Sequence, residues 1–236
     1  MRYYKNTFRF LLAVILLSGC SKSSVSVSPL ASLNVVDASV NVATIKANFT
    51  GTGLPNFYAT NTVTVAYGAN NVYGVNAGVT VPLTIINNAD STKAIYQSSL
   101  NLVNGGIYSL YLAGQSTAVD TIFVKETIPS YTDSSCGVRF INLSYNSNPI
   151  IVTQSATPTV VDFTSLSYKS YSAFKTYPAL AANATYTFQV RDAGTNAILA
   201  TYALTTPRFF NCTLAWIGQT GVTGTNAPKV QRINNY

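Results

Sequence analysis

Between Thr185 and Arg191 the chain alternates residue by residue, placing Tyr186, Phe188 and Val190 on one face and polar side chains on the other. A period of two is the mark of a half-buried β-strand. Asp192-Ala193-Gly194-Thr195-Asn196 then supplies turn chemistry, and Ala197 to Leu204 returns, which predicts a hairpin. Shorter runs of the same kind flank it: Val138 to Leu143, Pro149 to Thr153, and a last strand in which Cys212, Leu214 and Trp216 share a face. About seven strands in roughly 90 residues, with turn signals every 8–12, predict an immunoglobulin-like sandwich rather than a barrel.

The pattern recurs. Shifting the chain by 104 residues lays Thr84 and Ile86 on Phe188 and Val190, Ile95 on Leu199, and Leu110, Leu112 and Gly114 on Leu214, Trp216 and Gly218. With a one-residue adjustment, Leu33-Asn34-Val35-Val36-Asp37 falls on Val138-Arg139-Phe140-Ile141-Asn142. Identity is low but the apolar spacing is kept, which predicts two copies of one unit. The fold class expected is therefore all-β, two tandem immunoglobulin-like β-sandwich modules. The modules are placed at 31–128 and 136–221, joined by a polar linker at 129–135 that follows Glu126-Thr127-Ile128. Val230 and Ile233, in the tail at 222–236, suggest a further edge strand of unassigned module. Arg139 alternates away from Val138 and Phe140, so it is expected to face solvent or to pair with a nearby acid.

One apolar stretch fits neither module. Phe10 to Leu17 is unbroken, follows Arg2, Lys5 and Arg9, and is too short to span a bilayer, which takes about 20 residues. It has the form of a signal peptide covering 1–19. Leu17-Ser18-Gly19-Cys20 resembles the lipobox of bacterial lipoproteins, which implies cleavage before Cys20 and lipid on its thiol. Residues 20–30, rich in serine, then form a flexible tether. Ser21 behind the cysteine, where an aspartate would retain the protein at the inner membrane, favours the outer membrane by the same resemblance. The expected location is the cell envelope, with the membrane held through the lipid anchor and neither leaflet face singled out.

Three stretches of the second half resemble a known family. Val138-Arg139-Phe140-Ile141-Asn142-Leu143-Ser144, the segment Leu180 to Thr195 and Cys212-Thr213-Leu214-Ala215-Trp216-Ile217-Gly218 are similar to domain-of-unknown-function family 4397, found in tandem in Bacteroidota lipoproteins. About 85 residues carry the likeness; in the first half Val81 to Ile86 replaces the Tyr-Thr hairpin strand. The resemblance implies a β-sandwich akin to adhesion modules and no established activity.

Composition narrows the chemistry. Charged residues are 9% of the chain, and removal of the leader leaves 11 basic and 7 acidic residues, spread singly. No basic cluster is present to neutralise a row of phosphates, so nucleic acid is not an expected partner. Histidine is absent, which excludes Ser-His-Asp and Cys-His catalysis and histidine-ligated metals. No cofactor or metal is expected. With Cys20 lipidated, Cys136 and Cys212 remain as an even pair in an oxidising compartment and are expected to form a disulfide. Of the seven acids, Asp162 and Asp192 are the candidate pair for a glycosidase, which needs carboxylates about 5–10 Å apart; turn and surface roles are the stronger expectation. Asp90-Ser91-Thr92 and Asp120-Thr121-Ile122 resemble the Bacteroidota O-glycosylation motif. Tyr168, Tyr171, Phe174 and Tyr177 fall close together between Lys169 and Lys175, and exposed rings there would stack on sugars. Trp216, alternating with Leu214, is expected in the core.

The resulting expectation is a non-enzymatic envelope lipoprotein with a binding, adhesion or structural role, its partner a glycan or another envelope protein. The narrower alternative is a glycan-binding accessory of a nutrient uptake system, with Tyr168, Tyr171 and Tyr177 as the ligand contacts. A hydrolase is the remaining alternative.

Overall fold

The computed structural model describes residues 28–51, 53, 63–180, 185–206 and 208–235. The leader, Cys20 and the tether up to position 27 lie outside the described residues. The first module contains β1 (Leu30–Asp37), β2 (Thr44–Asn48), β3 (Val65–Ala66), β4 (Asn70–Asn76), β5 (Thr80–Asn87), β6 (Asp90–Asn101), β7 (Ile107–Gln115) and β8 (Ala118–Lys125). The second contains β9 (Ser135–Asn142), β10 (Ile150–Gln154), β11 (Thr157–Leu166), β12 (Lys175–Pro178), β13 (Thr185–Asp192), β14 (Ile198–Thr205), β15 (Asn211–Ile217) and β16 (Lys229–Asn235). The chain is all-β and forms two β-sandwiches.

Each sandwich has two four-stranded sheets, and the orders match. They are β4-β1-β7-β8 over β3-β2-β5-β6 in the first and β12-β9-β15-β16 over β11-β10-β13-β14 in the second. In both, the opening strand lies between the fourth and the seventh and runs parallel to the seventh. The internal repeat is thus a repeat of topology. This order differs from that of an immunoglobulin constant domain, whose sheets are ABED and CFG with the first two strands adjacent. The two glycines matched by the shift also agree. Gly114 and Gly218 both have positive φ, and a Cβ on either would stand 2.6 Å from a backbone carbonyl oxygen, of Ala118 and Ala227 respectively. Only glycine fits that close approach.

The C-terminal segment is resolved as β16, paired along its whole length with β15 as β8 pairs with β7. It completes the second sandwich, which runs past the expected boundary at 221.

Alternation along each strand decides what it touches. Leu33, Val35, Leu110 and Leu112 point into the first core with Ile45, Leu83 and Ile85. Val138, Phe140, Cys212, Leu214 and Trp216 point into the second with Val152, Phe188 and Val190. The opposite faces of the same strands meet each other in a third core. There Val36, Ala38, Tyr111 and Ala113 of the first module pack against Ile141, Leu143, Ala215, Ile217 and Ile233 of the second. All residues of β9 and β15 are consequently buried. Each large apolar side chain so buried contributes about 1.5–3 kcal/mol, which makes the junction a continuous part of the fold rather than a loose contact.

The modules lie with their opening strands pointing the same way. At the far ends Asn226 donates to Asn41 at 2.7 Å and Lys169 pairs with Asp120. At the near end Asn211 donates to the Pro129 carbonyl at 2.8 Å.

Candidate functional site

The junction carries a buried ion pair. Arg139 does not face solvent; it is 3% exposed, on the β9 face that meets the first module. Its guanidinium forms a bidentate pair with Glu126, at 2.7 Å from Nη1 to Oε2 and 2.5 Å from Nη2 to Oε1. It also donates from Nε to Thr213 Oγ1 at 2.8 Å and from Nη2 to the Tyr111 hydroxyl at 2.7 Å. The rings of Phe174 and Tyr171 lie 4.7 and 5.6 Å from its central carbon. The pairing with an acid holds, but the acid comes from the segment between the modules. Burial opposes the charge, and Tyr111 and Glu126 together hold it on. Asn34, the repeat counterpart of Arg139, is a neutral residue accepting from Asn70 at 2.8 Å. The ion pair is an addition of the second copy.

The Tyr168–Tyr177 segment is divided among three environments. Tyr177 is 3% exposed and belongs to the second core, its hydroxyl donating to Asp162. Tyr168 packs against the junction core and donates to Asp120 at 3.0 Å. Tyr171 alone is exposed. A shared sugar-stacking face made of these three rings is not present. Tyr171 and Phe174 form a ridge between two depressions, one floored by Arg139 and Glu126 and one by Asp162 and Lys175.

The candidate acids are apart. Ile150 pairs with Asp192, and the opposite edge of β10 pairs near Asp162, which sets their Cα atoms roughly 13 Å from each other by strand spacing and rise. Asp162 accepts from Gln154, Lys175 and Tyr177. Asp192 closes its own turn, accepting from Gly194 N and Thr195 N, and also from Asn148. These bonds to Asn148 and Thr195 hold its carboxyl below the usual range. Asp90 caps the turn at Thr92. Among the described residues no three His, Cys, Asp or Glu side chains gather in a way that would hold a metal ion.

Cys136 and Cys212 are free, buried thiols, not a disulfide. Both face the second core, but Cys212 sits opposite Val138 on the parallel neighbour, two residues from Cys136. That offset separates the Cα atoms by roughly 8 Å, beyond the ~7 Å a bridge tolerates. Burial pushes the thiols up to about 11 and about 12 respectively.

The two ends of the molecule differ. At the end where the chain enters, Pro29 and Leu30 are bonded to the β4–β5 and β6–β7 turns, at 2.9 Å to Ala77 and 2.8 Å to Gly105. Leu30, Val79 and Val103 are about half exposed there, as are Leu180, Phe209 and Phe210 at the corresponding end of the second module. The opposite end exposes Ile198 and Leu199 beside the 192–197 turn. It holds a cavity of about 180 Å³ between the sheets of the second module, lined by Ser147, Asn148, Asp192, Leu199, Trp216 and Thr220 with Pro228.

No family model matches the chain, and no curated protein is similar to it in sequence.

Proposed function

We propose that this chain is a lipid-anchored protein of the cell envelope that acts by binding, with its two sandwiches held as one body close to the membrane. The supporting observation is the arrangement at the entry end. Leu30, Val79, Val103, Leu180, Phe209 and Phe210 are exposed at the end from which the chain leads back to Cys20. An exposed apolar cluster of this kind marks an interaction surface, a membrane among them. The nine residues between Cys20 and Leu30 reach at most about 30 Å when extended. A body tethered that closely meets the lipid surface with this end. Two acyl chains on Cys20 would hold it there stably. Ser21 supports the outer membrane, and the likeness of the second module to family 4397 supports a sandwich without catalytic machinery. The separation of Asp162 from Asp192 points the same way.

The reading is tested by metabolic labelling with an alkyne fatty acid. The wild type takes up label and fractionates with membranes, and Cys20→Ala does neither. Label absent from the wild type, or retained by Cys20→Ala, overturns the anchor.

A further inference from the structure

The cavity at the end away from the chain's entry holds a buried donor that has no partner among the described residues. Trp216 is 2% exposed and lines the cavity, yet its Nε1–H has no acceptor among the described residues. A buried N–H left unmet costs about 1–3 kcal/mol, so such a group calls for an acceptor from outside the chain. Leu112, the repeat counterpart, is fully buried and has no polar atom. The second copy has therefore placed an indole donor where packing required only an apolar side chain.

The rest of the lining defines what fits. Asn148 and Asp192 stand on one side, bonded to each other at 2.9 Å. Asp192 Oδ1 is occupied by its turn, but Oδ2 accepts only from Asn148 among its hydrogen bonds, which leaves a lone pair for a ligand hydroxyl. Thr220 adds a hydroxyl, that of Ser147 being taken up by Asn142, while the Leu199 and Pro228 side chains and the indole provide apolar walls. No lysine or arginine lines the space, and its single charge is negative, so an anion is disfavoured. The volume of about 180 Å³ is some six times the ~30 Å³ share of one water, the bulk of one small ring.

We infer that this cavity is a binding site for a neutral hydroxylated ring of monosaccharide size, held by Trp216 Nε1–H, Asn148 and Asp192 Oδ2. The site faces away from the anchored end, open to solutes. The inference deepens the binding role proposed above and rests on it, but not on the lipid: the anchor and the cavity are tested by separate readouts.

Trp216 is the only tryptophan of the chain, so its emission reports on this site alone. The mature protein in detergent is titrated with a panel of neutral hexoses, pentoses and deoxyhexoses, with glucuronate and choline as charged controls. Saturation-transfer NMR on the same panel detects binding that leaves the emission unchanged. At least one neutral sugar gives a saturable response, and Thr220→Phe, which fills the mouth and keeps the backbone bonds of Thr220, weakens it at least tenfold with an unchanged melting temperature. Thr220→Ser retains the response. A panel silent in both measurements overturns the site, as does a response equal in Thr220→Phe. Saturation by choline or glucuronate alone overturns the ligand class.

Discussion

Asp37 ends β1 fully buried, a carboxylic acid where the second copy has Asn142. The two side chains close the same turn. Asp37 Oδ1 accepts from Ser39 N at 2.9 Å, and Asn142 Oδ1 accepts from Ser144 N at 3.1 Å. Asp37 Oδ2 is buried with no partner. Burial, opposed in part by the Ser39 N–H, raises the carboxyl from 3.8 to about 7. In the unfolded chain the proton leaves near 3.8, whereas the fold retains it until about 7. Between these values the unfolded state binds fewer protons, so stability falls as pH rises and is lowest above about 7. At 1.36 kcal/mol per pH unit the interval is worth about 4 kcal/mol. Asp37→Asn keeps the acceptor for Ser39 and cannot ionise. It is expected to stabilise the protein by up to about 4 kcal/mol at pH 8.5 and by less than about 1 kcal/mol at pH 4. Urea unfolding followed by Trp216 emission at pH 4, 6 and 8.5 measures the difference, with equal urea slopes required for the comparison. An Asn variant no more stable than wild type at pH 8.5, or a gain that does not grow with pH, would refute the reasoning.

Two further outcomes follow from the junction and the core. Arg139→Ala leaves the Glu126 carboxylate, 1% exposed, without its partner, and should cost about 3–5 kcal/mol in the same unfolding assay; a loss below 1 kcal/mol would place the junction outside the cooperative fold. Cys136 and Cys212 should resist iodoacetamide in the native protein at pH 8, their thiols raised and buried, and should both be alkylated in denaturant without reductant. Mass spectrometry counts the adducts, and none in denaturant would mean a disulfide after all.

These expectations converge on a molecule with an axis. The end where the chain enters exposes Leu30, Val79, Val103, Leu180, Phe209 and Phe210, the far end carries a cavity, and the junction core with its ion pair keeps the two modules from moving independently.

Much of this was readable along the chain. The period-two runs identify β13 to β15, the shift of 104 identifies the duplicated topology, and Gly114 and Gly218 mark the same backbone corner in both copies. What local alternation determines is which residues share a face. It does not say what covers that face. Leu110-Tyr111-Leu112-Ala113 and Cys212 to Ile217 carry apolar groups on both sides, the pattern of strands buried twice over, but the second cover comes from the other module. Only that docking put Arg139 beside Glu126 and out of water. Strand register decided the cysteines in the same way, since sharing a core face is not sufficient for a bond when the parallel pairing sets them two residues out of step. Tyr168, Tyr171 and Tyr177 are close in sequence, yet the irregular chain between β11 and β12 turns Tyr168 toward the junction and Tyr171 toward solvent, while β12 points Tyr177 into the core. The cavity beside Trp216 had no local signal at all, because its lining comes from the β9–β10 and β15–β16 connections and from single residues of β13, β14 and β15 that meet only when the two sheets close on each other.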